Sequence, residues 1–101
     1  MRLETEVNLT KFTYSKIRYS SEEVKNIFVS RLILPKNVPK TLKLTLIIGE
    51  PLNDGAYEVT LTALSQNYAV FNSPHITGLY INKKVFTGEV PQTIGVKLEA
   101  T

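Results

Sequence analysis

The chain reads as an antiparallel all-β fold, a compact β-sandwich of about seven strands with one short helix. Three observations predict it. Segments of apolar–polar alternation recur along the sequence, turn-forming residues separate them, and helical spacing is confined to residues 21–28. Alternation on one face belongs to antiparallel sheets with one solvated side.

The elements follow in order. Residues 3–9 set Leu3, Thr5, Val7 and Leu9 against Glu4, Glu6 and Asn8, a half-buried strand. Residues 11–19 give a second strand of mixed character. In the stretch SSEEVKNIF, Ser20 is an N-cap with Glu23 three residues on, and Val24, Ile27 and Phe28 have helical spacing. A two-turn helix over 21–28 is expected there, leading into a strand around Leu32. Residues 42–48 place Leu42, Leu44, Leu46 and Ile48 on one face and Lys43 and Thr45 on the other. Gly49-Glu50-Pro51 and Asn53-Asp54-Gly55 form the next loop, with Asp-Gly supplying a positive-φ position. Residues 57–63 alternate Tyr57, Val59, Leu61 and Ala63 with Glu58, Thr60 and Thr62. Asn82-Lys83-Lys84 predicts a hairpin tip, and Ile94, Val96 and Leu98 mark the last strand. Pro35, Pro39 and Pro91 fall at strand entrances and exits, where a missing N–H is tolerated.

Gly55, Tyr57, Val59 and Leu61, followed by the polar loop Ser65 to Asn67, give the local pattern of a turn glycine before a Tyr-x-Val-x-Leu strand. This pattern resembles the penultimate hairpin region of immunoglobulin-like and fibronectin-type sandwiches over about a sixth of the chain. The resemblance implies a sandwich in the loose sense. A chain without tryptophan or cysteine has neither the strand-C tryptophan nor the inter-sheet disulfide of antibody domains. The rival architecture is an OB-like Greek-key barrel, which has a suitable size and accommodates a short helix.

The sequence also echoes itself. Placing Pro39 on Pro91 aligns Val38 with Val90, Thr41 with Thr93, Leu44 with Val96 and Leu46 with Leu98. Placing Leu32 on Leu79 aligns Lys36 with Lys83 and makes residues 84–89 an insertion. Two β-loop-β units, 30–48 and 77–100, are expected inside one domain spanning 1–101.

Composition narrows the function classes. Without cysteine there is no disulfide, thiol nucleophile or cysteine-based metal site. His75, the only histidine, has no His or Cys to share a metal and no nominated catalytic partner. Glu4 and Glu6 share a strand face that suits a cation or plain solvent. The serines lack a nucleophile-elbow context, and the five glycines form no phosphate-binding loop. The chain is therefore expected not to be an enzyme and to need no cofactor. Its first residues alternate charged and apolar where a signal peptide needs an apolar run, and no stretch has the ~20 apolar residues of a membrane span. No membrane partner is expected. The expected setting is the cytoplasm or a particle assembled inside a cell.

Charge is unevenly placed. The net charge is +3, but residues 11–43 carry Lys11, Lys16, Arg18, Lys25, Arg31, Lys36, Lys40 and Lys43 against Glu22 and Glu23, a local net of +6. If residues 11–19 are one strand, Phe12, Tyr14, Lys16 and Arg18 share a face, with Tyr19 on the other. Rings beside cations are what single-stranded DNA and RNA binders use. The first expectation is a non-catalytic binding or assembly module that presents a sheet surface or edge to a protein partner or to its own copy in a homodimer. The alternative is a single-stranded nucleic-acid binder using Lys11, Phe12, Tyr14, Lys16, Arg18 and Tyr19, with Arg31, Lys36, Lys40 and Lys43 lining the groove.

Overall fold

Period-2 alternation produces strands wherever it occurs, and four further segments join them. The computed structural model describes residues 1–52 and 55–100, and it is all-β. Its strands are β1 (Arg2–Phe12), β2 (Lys16–Ser20), β3 (Val24–Ser30), β4 (Thr41–Ile47), β5 (Tyr57–Leu64), β6 (Tyr68–Asn72), β7 (Ile76–Asn82) and β8 (Thr93–Ala100). All neighbours pair antiparallel, in the order β1-β2-β3-β7-β6-β5-β8-β4, and β4 returns to β1 to close a barrel. The sandwich is thus replaced by a closed barrel with eight strands in place of seven. The cause is long-range pairing: β3 joins β7 along one seam and β4 joins β8 along another, so no second sheet separates. An OB-like barrel is compatible with this closure. Among the described residues every strand has two paired neighbours, which removes the exposed edges of an open sheet.

The helix over 21–28 is also corrected. Ser20 ends β2, and Ser21 makes a tight turn in which its N–H donates to the Val24 carbonyl (2.8 Å) and its hydroxyl accepts from the Val24 N–H (3.2 Å). Val24 to Ser30 then runs as β3. Register shifts on either side of Asn26 mark a β-bulge. The extra residue puts Val24 and Ile27 on the same inward side although they are three apart, which imitates helical spacing. The only helical pieces described are single 3₁₀ turns at Arg31–Ile33 and Lys83–Val85. The second of these occupies the expected hairpin tip at Asn82-Lys83-Lys84, and no strand follows it until Thr93. Asn53 and Asp54 of the expected turn lie outside the described residues.

The barrel has an internal pseudo-two-fold. Lys16 and Tyr68, Val24 and Ile76, Arg31 and Lys83, and Thr41 and Thr93 open equivalent elements, each pair 52 residues apart. Details follow the same offset. The bulge between Leu9 and Lys11 recurs between Leu61 and Ala63, and there Thr10 and Thr62 each donate to a β2 or β6 carbonyl. The N–H groups of Ser30 and Asn82 donate across the β3–β7 seam to the carbonyls of His75 and Glu23. At this offset Pro39 matches Pro91, but residues 30–48 match 82–100 in place of 77–100. Leu32 matches Lys84 in place of Leu79, and no insertion is needed. Each half is a Greek key, β4-β1-β2-β3 and β8-β5-β6-β7.

The core fills the barrel with inward residues from both halves, including Val7, Ile17, Tyr19, Leu44, Leu46, Val59, Phe71, Leu79 and Val96, all fully buried. Each large apolar side chain so buried contributes about 1.5–3 kcal/mol. After β4, Leu52 lies over Gly95 beside Ile47. Among the described residues no helix is long and apolar enough to cross a membrane, which leaves open what strands do.

Candidate nucleic-acid interface

Residues 11–19 are not one strand. β1 ends at Phe12, Thr13 to Ser15 turn the chain, and β2 returns from Lys16. Thr13 locks this turn: its N–H and hydroxyl both donate to the Lys16 carbonyl, at 2.9 and 2.6 Å. The bulge at Thr10 and the turn each reset the alternation, so the two faces read from the sequence do not exist.

Tyr19 is the clearest correction. It is fully buried in the core and its hydroxyl donates to the Pro39 carbonyl at 2.7 Å, so its ring is not available to a base. Burial also raises its pKa above the ordinary tyrosine value. Phe12 pairs with the inward Ile17 but sits at the barrel mouth, 53% exposed, with the Arg31 guanidinium 5.4 Å from its ring centre. Tyr14 is at the tip of the turn and 99% exposed. Lys36 is exposed and Lys40 borders β1, whose Leu9 N–H donates to the Lys40 carbonyl. Lys43 belongs elsewhere, on the outer side of β4 between Glu4 and Glu99. Its hydrogen bond to Glu4, helped by the charges of Glu4 and Glu99, raises its pKa. Glu4 is therefore engaged by Lys43, and the described residues hold no cluster of three acidic or histidine ligands for a metal.

The structure does bring Lys11, Lys16 and Arg18 together. Lys11 pairs with Arg18, and Lys16 and Arg18 project outward from β2 between the buried Ile17 and Tyr19. They border a face that the sequence did not reveal. On β3, Lys25, Asn26, Phe28 and Ser30 point outward, because Val24, Ile27 and Val29 take the core positions. Tyr80 projects from β7, and Tyr68 and Val70 from β6. Phe28 stands opposite Arg18, and Tyr80 lies between Asn26 and Val70 across the ladders. The Tyr68 and Tyr80 rings meet edge to face at 6.2 Å, and the Lys25 ammonium lies 5.2 and 5.9 Å from their centres.

Backbone geometry supports this face. Gly78 has φ of +55°, and a Cβ there would come within 3.1 Å of the Phe28 ring, so glycine both permits the bend and makes room for the ring. Asn26 donates to the Gly78 carbonyl at 2.7 Å, and the Gly78 N–H donates to Asn72 at 2.8 Å. Lys16 is tied to Thr77 at 3.0 Å. Arg18 Nε is covered and meets no acceptor among the described residues. A buried donor left unpaired is costly.

Electrostatics separate the two walls. The strands β2, β3, β6 and β7 contain Lys16, Arg18 and Lys25 and no Asp or Glu. The strands β1, β4, β5 and β8 carry Glu4, Glu6, Glu58 and Glu99 among their cations. The signal for the missed rings was present as Phe28, Tyr68 and Tyr80, but only the bulge and the barrel register turn them outward together. No protein family, curated protein or solved structure matches the chain.

Proposed function

We propose that the protein is a non-catalytic binding module that holds single-stranded nucleic acid against the outer face of β2, β3, β7 and β6. One observation carries the reading: Phe28, Tyr68 and Tyr80 share four adjacent strands with Lys16, Arg18 and Lys25, and those strands have no carboxylate. Rings on a sheet stack on bases at about 1–3 kcal/mol each, and cations between them hold phosphates.

The two halves supply an internal comparison. Fifty-two residues on, Lys16 is matched by Tyr68, Arg18 by Val70, Lys25 by Thr77, Lys36 by Gly88 and Lys40 by Gln92. The second half builds the same Greek key with neutral residues at these positions, so the barrel does not require the cations. A polyanion would account for their presence on one half. The face also suits a ligand better than an edge does, since closure leaves strand-to-strand pairing nothing to extend.

Fluorescence anisotropy with labelled oligo-dT and oligo-rU at ~50 and ~200 mM salt tests the reading. Micromolar or tighter binding that weakens steeply with salt is expected. Tyr80→Ala should lose about fivefold or more, and Arg18→Ala should lower the log–log salt slope by ~0.7. Lys43→Ala should leave affinity unchanged, because that cation serves Glu4 and Glu99. Absence of binding at the lower salt would overturn the proposal and direct attention to a protein partner.

A further inference from the structure

Three exposed large apolar side chains of the described residues, Tyr14, Leu32 and Phe12, lie at one end of the barrel, while Leu64, 56% exposed, ends β5 at the other. Tyr14 is 99% exposed at the β1–β2 turn, Leu32 is 85% exposed in the 3₁₀ turn after β3, and Phe12 is 53% exposed at the mouth. The two turns are bound to each other: the Arg31 N–H donates to the Ser15 carbonyl at 3.0 Å, and Arg31 Nε reaches the Thr13 carbonyl at 3.4 Å. The loops at this end, 13–15, 31–40 and 73–75, contain Arg31, Lys36, Lys40 and His75 and no acidic residue. At the other end the loops hold Glu22, Glu23, Glu50 and Glu89 together with Lys83 and Lys84. By the pseudo-two-fold Tyr14 and Leu32 correspond to the polar Gln66 and Lys84, whereas Phe12 corresponds to the similarly exposed Leu64.

This end is continuous with the aromatic face. Lys16 begins β2 on the face and borders the Tyr14 turn, and its partner Ser30 precedes Arg31. At a strand rise of about 3.3 Å per residue, two residues separate the level of Phe28 and Arg18 from that of Lys16 by roughly 7 Å. From the geometry we infer that the Tyr14–Arg31 end is a second stacking station for the same single strand, reached after it leaves the face past Lys16. The inference rests on the proposed nucleic-acid face and fixes its extent: a short oligonucleotide fills the face, and only a longer one reaches the end.

The test is anisotropy with oligo-dT of ~4 and ~12 nucleotides, lengths that span the site sizes of one small module. Tyr14 is fully exposed and buries nothing, so Tyr14→Ala should fold like the natural chain. It should bind the 12-mer on the order of tenfold more weakly and the 4-mer unchanged, whereas Tyr80→Ala should weaken both. Equal affinities of Tyr14→Ala and the natural protein for the 12-mer would overturn the second station while leaving the face intact. Binding of neither length by the natural protein would overturn both. Vesicles of phosphatidylserine and phosphatidylcholine provide the remaining arm: capture that Tyr14→Ala and Leu32→Ala each abolish, without an effect on the 12-mer, would assign this end to a lipid surface and overturn the inference.

Discussion

Tyr19 shows how one hydroxyl distinguishes two otherwise equivalent core positions. Its counterpart 52 residues on is Phe71, equally buried and without a polar atom to satisfy. Tyr19 keeps its hydroxyl in the core only because the Pro39 carbonyl accepts from it at 2.7 Å. Tyr19→Phe should therefore fold and lose about 0.5–1.5 kcal/mol, measurable by urea unfolding at neutral pH. The pH dependence carries a sign. Burial raises the folded pKa of Tyr19, so its contribution is fully present below the unfolded value of about 10 and is lost as pH rises through the folded value. The stability gap between the natural chain and Tyr19→Phe should narrow above pH ~10, and a gap that is constant with pH would contradict the assignment. Sequence patterning missed this residue because the turn at Thr13 to Ser15 shifts the alternation that assigned Tyr19 to a surface.

At the level of elements, the linker is where the two-fold must fail, because two halves in one chain have a single connection between them. Lys43 on β4 has Gly95 as its counterpart on β8. Lys43 is free to bridge Glu4 and Glu99, whereas Leu52 lies over Gly95 and would meet a Cβ there. Gly95→Ala should displace Leu52 and cost on the order of 1 kcal/mol, and the cost should shrink in a Leu52→Ala background. A double-mutant cycle by chemical unfolding checks this; strictly additive losses would mean that Leu52 does not rest on Gly95. The same scale explains which elements were legible. β1, β4, β5 and β8 announced themselves because Leu3 to Leu9, Leu42 to Leu46, Tyr57 to Leu61 and Ile94 to Leu98 hold a period of two. β3 did not, since its bulge at Asn26 spaces Val24 and Ile27 like a helix. β2 and β6 are five residues each, too short for a pattern to stand out.

Across the whole molecule, closure and the division of charge arise from contacts far apart in sequence. The pairing of Leu44 with Leu98 and of Phe28 with Thr77 turns two Greek keys into one barrel, and alternation within any single strand is silent about either seam. The cations of the candidate face were legible as residue types, whereas the rings were not, because Tyr68 and Tyr80 meet across the β6–β7 ladder and Phe28 joins them only across the β3–β7 seam. The two-fold has a consequence for the order of the chain. A Greek key alone leaves β3 and β4 without outer partners, and the second key supplies both, as an identical subunit would in a symmetric dimer. Such an arrangement is what tandem duplication of a half-length ancestor would leave behind. In that case the connection from β4 to β5 is interchangeable with a new one from β8 to β1. A circular permutant opened after Leu52, with Ala100 joined to Met1 by a flexible segment as long as the natural linker, should recover the native far-ultraviolet spectrum and a cooperative transition.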